Sequence, residues 1–78
     1  MNEWLSQRAD ALARRTGVDR SALELSDEDV DRLLDIAAHA AHASDARTNA
    51  PLLCYLVGVA RAGGTPLEQL DETVRSTY

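Results

Sequence analysis

The stretch Asn49–Gly63, NAPLLCYLVGVARAG, limits what this chain can fold into more than any other. Between Ala50 and Ala62 the only charged residue is Arg61, so a helix formed here is apolar on every side. Such a run is too short to span a bilayer, which takes roughly 20 apolar residues. An all-round apolar helix in a short chain is therefore expected to be the buried centre of a soluble bundle. Its ends are signalled. Asn49 is a good N-cap, because its side-chain oxygen can accept from a free N–H of the first turn. Pro51 falls inside that turn, where a missing N–H costs nothing. Gly63 and Gly64 can supply the positive φ that ends a helix.

The rest of the chain supplies partners for that helix. A first helix is expected from about Asn2 to Thr16, with Asn2 as cap and Leu5, Ala9 and Leu12 at the spacing of one apolar stripe. Gly17 stops it, and Arg14 and Arg15 sit in the last turn, where the helix dipole favours cations. Val18–Leu25 reads as a connector with one helical turn near Ser21, pinned by Val18, Leu23 and Leu25. A second helix begins at Ser26, where Ser26 and Asp29 approximate a capping box. Val30, Leu33, Leu34, Ala37 and Ala41 form its core stripe. Residues 37–43 are all alanine apart from His39 and His42, a smooth surface that lets another helix come close. Gly58, costly in a helix interior by about 1 kcal/mol, is the matching flat spot on the third helix. A fourth helix opens with Thr65, Pro66 and Glu68 and carries Leu67, Leu70 and Val74. The expected fold is all-α: a compact four-helix bundle, one domain over residues 1–78, with a buried central third helix.

Charge narrows the partners. The net charge is −5, and all eight basic residues are arginines spread from Arg8 to Arg75. Nucleic-acid binders usually cluster their basic residues, because phosphate neutralisation drives affinity. An anionic membrane surface would repel this chain for the same reason. Neither nucleic acid nor membrane is expected as a partner. No charged segment followed by an apolar one opens the chain, so no signal peptide is expected, and the cytoplasm is the default location.

The residues that could carry chemistry are few. Asp35, His39 and His42 recur at i, i+4 and i+7, a spacing that could present a metal ligand set from one helical face. The competing reading is a solvated polar face. Cys54 is the single cysteine; among apolar neighbours it behaves as a small hydrophobe and makes a poor nucleophile. No phosphate-binding glycine loop and no nucleophile elbow is present. Hence no enzyme activity and no cofactor is expected. Arg47 can pair with Asp45 or an acid of the second helix, or with a partner's carboxylate or phosphate. Trp4 and Tyr78, near the two ends, are candidate anchors or lids over a small core.

Several of these residues fall in a recognisable order. Trp4-Leu5, Thr16-Gly17-Val18-Asp19, Leu33-Leu34-Asp35-Ile36-Ala37, Ala41-His42, Arg47, Asn49-Ala50-Pro51-Leu52 and Tyr55-Leu56-Val57-Gly58-Val59-Ala60 resemble a family of small actinobacterial domains without assigned function. These occur alone or next to molybdenum cofactor guanylyltransferase. The chain departs from the family pattern at His39, where an Asp-Val-Ala-His order gives way to His39-Ala40-Ala41-His42. The resemblance implies a place near molybdenum cofactor biosynthesis and a protein partner, with that guanylyltransferase the first candidate. It does not imply guanylyltransferase activity, because that enzyme's glycine-rich nucleotide loop has no counterpart here.

Two readings follow. The first is a non-catalytic helical interaction or accessory domain, with His42, Arg47 and Trp4 as candidate contact residues. The alternative is a small metal- or ligand-binding protein using Asp35, His39 and His42, or a self-associating structural domain that forms a homo-oligomer.

Overall fold

In a computed structural model describing residues 1–77, the chain forms four α-helices and one 3-10 turn. The helices are α1 (Glu3–Thr16), α2 (Asp27–Ser44), α3 (Asn49–Ala62) and α4 (Leu67–Arg75), with the turn at Arg20–Leu23. No strand occurs among the described residues. The all-α, four-helix expectation therefore holds. The residues group into two compact units, Met1–Val30 and Asp31–Tyr78, divided within the first turns of α2.

Local chemistry accounts for the helix starts in the first unit. The Asn2 side chain accepts a hydrogen bond from the Leu5 amide at 2.9 Å, capping α1 as its position predicts. Gly17 ends α1 in the left-handed region at φ 78, and its amide donates to the Ala13 carbonyl. The α2 start is a reciprocal capping box. The Asp29 amide donates to Ser26 Oγ at 3.0 Å, and the Ser26 amide donates to the Asp29 carboxylate at 3.1 Å.

The connector is held by a feature that periodicity does not show. Arg20 donates to Asp10 Oδ1 at 2.6 Å and to Glu24 Oε2 at 2.9 Å, linking α1 to the 3-10 turn. Asp19 caps that turn by accepting from the Ser21 amide and hydroxyl. These two bonds hold the Asp19 carboxyl below its usual range. Of the three residues expected to pin the connector, Leu23 and Leu25 are half-buried while Val18 is exposed. On α1 only Ala9 is buried; Leu5 and Leu12 of the same stripe are exposed.

The second unit contains the apolar cluster. Ile36 (0% exposed), Val57 (3%) and Leu67 (6%) form its centre, one residue from each of α2, α3 and α4. Leu33, Leu53, Cys54, Leu70 and Val74 pack against them. The α4 stripe Leu67, Leu70 and Val74 is thus as the spacing predicts. α4 itself starts one residue later than its sequence signals, at Leu67, with Pro66 at the cap position and no side-chain cap bond.

Four expectations about α3 need correction. Asn49 is the first helical residue rather than the cap; Thr48 precedes it without a side-chain cap bond. Of the two closing glycines only Gly64 takes positive φ, at 114, while Gly63 stays near −75. The helix is also not buried on every side, since Val57 is its one fully buried residue. Nor is Gly58 the point of contact with α2. It is exposed, and a Cβ placed there would meet nothing within 4 Å. α2 and α3 instead meet through Leu33, Ile36, Cys54 and Val57, with the Cys54 thiol donating to the Leu33 carbonyl at 3.8 Å.

Candidate functional site

Helix α3 has two apolar faces. Leu53, Cys54 and Val57 turn into the cluster. Leu52, Tyr55, Leu56 and Val59 turn away from it and remain 61, 71, 62 and 56% exposed. Their spacing of i, i+3, i+4 and i+7 places all four on one stripe, the pattern by which one helix packs against another. Single exposed apolar residues are ordinary, but a contiguous apolar patch on a small protein marks an interaction surface. The absence of charge from Ala50 to Ala60, read from the sequence as burial on all sides, here gives one buried and one exposed face.

Beside the stripe lies an open groove of about 420 Å³. Its walls include His39 and Ala40 of α2, Leu52, Leu53 and Leu56 of α3, and Val74 of α4. On the α2 side the groove is walled by His39, Ala40, Ala43 and Ser44. His39, Ser44, Asn49 and Thr77 add polar atoms to a mainly apolar lining.

The residues singled out for chemistry are placed as follows. His39 is half-buried and lines the groove, whereas Asp35 and His42 are exposed. Among the described residues no three His, Cys, Asp or Glu side chains are grouped to hold a metal ion. Asp35 and His42 lie seven positions apart, about 10 Å along a helix axis at 1.5 Å per residue. Cys54 is half-buried, and burial pushes its thiol up from the ordinary value. That is opposite to what a nucleophile needs.

Arg47 is exposed, and among the described residues it forms no ion pair, so the expected pairing with Asp45 or an α2 acid is not made. Trp4 is exposed rather than a lid over the core, with the Arg8 guanidinium stacked 4.1 Å from its ring centre. Tyr78 lies outside the described residues. The exposed face of α3 is the feature that the sequence reading missed. Its signal was present in the i, i+3, i+4, i+7 order of Leu52, Tyr55, Leu56 and Val59, hidden because the opposite face is apolar too.

Among the described residues no helix is long and apolar enough to cross a membrane. A family model described as "Domain of unknown function (DUF6457)" matches residues 1–78, and the chain belongs to that family. No curated protein and no solved structure matches it.

Proposed function

We propose that this domain is a non-catalytic interaction module that works through protein contact, with the exposed stripe of α3 as its docking surface. The observation that carries this reading is the exposure of Leu52, Tyr55, Leu56 and Val59 along one uncharged helical face. Leaving four large apolar side chains in water forgoes about 1.5–3 kcal/mol for each one that a partner could cover. Aromatic and aliphatic side chains at such spacing are the anchors of helix-in-groove recognition. Trp4, His42 and Arg47, all exposed, are further candidate contacts.

The actinobacterial family resemblance in the sequence makes molybdenum cofactor guanylyltransferase the partner to test first, with the domain as its accessory in the cytoplasm. The test is a titration of the purified domain against the purified guanylyltransferase of the same organism, followed by calorimetry. Saturable binding near one-to-one, weakened by Leu56→Glu, is the expected result. Binding that Leu56→Glu leaves unchanged would move the docking surface off α3, and no binding would remove this enzyme as the partner.

A further inference from the structure

The groove between α2, α3 and α4 is distinct from the exposed stripe, since Tyr55 and Val59 do not line it. Its volume of about 420 Å³ falls in the range of small-molecule pockets, roughly 300–1,000 Å³. Its walls belong to one compact unit of the chain. Such pockets are mainly apolar, with a few polar groups that fix the orientation of the ligand.

The polar groups of this wall say which class of molecule fits. The Ser44 hydroxyl donates to the Ala40 carbonyl at 2.6 Å, and the Thr77 hydroxyl donates to the Thr73 carbonyl at 2.8 Å. Both oxygens keep lone pairs but have no hydrogen left for a ligand, so they can only accept. Among the described residues the side chains of His39 and Asn49 form no hydrogen bond. His39 is half-buried, so its ring gives up part of its hydration without gaining a partner. A polar group of a ligand would restore that bond.

Charge excludes two classes. Among the described residues no Asp, Glu or Arg lines the groove. A cation entering it would shed water with no carboxylate to meet it. An anion would approach a chain of net charge −5 and meet two hydroxyls that already donate elsewhere.

We infer that the groove binds an uncharged small molecule with an apolar body and a hydroxyl or N–H head, of the alkylphenol type. The body lies against Leu53, Leu56 and Val74. The head donates to the oxygen of Ser44 or Thr77, and His39 and Asn49 serve its remaining hydrogen-bonding capacity. The site does not require the stripe to be a docking surface.

Titration of the whole chain with para-ethylphenol, followed residue by residue in amide NMR spectra, tests it. Saturable shifts at Ala43, Ser44, Leu53 and Leu56 are expected, with a Kd of about 1 mM or tighter for so small a probe. Its methyl ether, para-ethylanisole, keeps the body and lacks the donor. The ether is expected to bind at least about tenfold more weakly. The anion para-ethylbenzoate is expected to give no saturable shift. Ala43→Leu, which puts a larger side chain into the groove from an exposed position, is expected to weaken para-ethylphenol by about tenfold with helicity retained.

Shifts that rise without saturating, or that centre on Tyr55 and Val59 instead, overturn the site. Equal binding of the phenol and its ether overturns the ligand class, as does saturable binding of the benzoate. Unchanged binding in a folded Ala43→Leu variant places the probe elsewhere and overturns the groove. If that variant does not fold, the wild-type comparison of phenol, ether and benzoate still decides.

Discussion

Arg32 of α2 donates to Asp71 of α4 at 3.1 Å, and the same carboxylate accepts from Arg75 at 2.6 Å. The Asp71 side chain is only 14% exposed. One carboxylate thus ties the end of the chain to a helix 39 positions earlier. Exposed ion pairs contribute about 0–1 kcal/mol, and hydrogen bonds to charged groups about 1.5–3 kcal/mol. Asp71→Ala is expected to cost about 1–2 kcal/mol in urea unfolding, with the loss reduced at high salt. A cost that does not change with salt would mean that packing, not charge, is what Asp71 provides.

Ile36 is the centre of the apolar cluster and fully buried. Ile36→Val is expected to cost about 0.5–1.5 kcal/mol and Ile36→Ala about 2–5 kcal/mol. In so small a core the second is enough to abolish the cooperative thermal transition. Leu56→Ala, on the exposed face of the neighbouring helix, is expected to leave the melting of a dilute sample nearly unchanged.

Two glycines should answer the same substitution with opposite signs. At Gly58 a Cβ meets nothing and the backbone is helical, so Gly58→Ala is expected to raise stability by up to about 1 kcal/mol. At Gly17 there is also open space, but φ is +78, a conformation that costs an L-residue about 1–2 kcal/mol. Gly17→Ala is therefore expected to lower the thermal midpoint. Equal shifts in both variants would contradict this account.

The 3-10 turn should loosen in acid. Asp19 has its carboxyl lowered by the bonds from Ser21, so its contribution is present above the unfolded-state value and lost as pH falls through the folded one. Amide exchange at Ser21 and Ala22 is expected to speed up as pH drops through the carboxylate range, relative to the intrinsic rate. Asp19→Ala should show the faster exchange at every pH, with the pH dependence gone.

Zinc is expected to leave the melting temperature where it is. A ligand that binds only the folded state must raise it, and Asp35, His39 and His42 are spread along one helix without a grouped ligand set among the described residues. A rise with zinc that disappears in His39→Ala would restore the metal reading.

The α2 capping box, the Asn2 cap and the Gly17 stop were legible because each depends on residues within a few positions of one another. The buried stripe of α4 was legible because Leu67, Leu70 and Val74 carry a single period. α3 shows where such reading ends. Its residues are apolar all round, so periodicity could place a helix there but could not say which side faces the protein. Only the packing of Leu53, Cys54 and Val57 against α2 and α4 decided that, and it left Leu52, Tyr55, Leu56 and Val59 outside.

Helix type, the two ends of α1 and the start of α2 were set by local chemistry already written in the chain: caps, a stop and apolar spacing. The pairing of Arg20 with Asp10, the bond from Arg32 to Asp71, the open space at Gly58 and the exposed face of α3 were decided by tertiary structure alone. Each depends on which groups meet across distances in sequence that no local preference reaches, and on a core too small to cover every apolar side of the helix beside it.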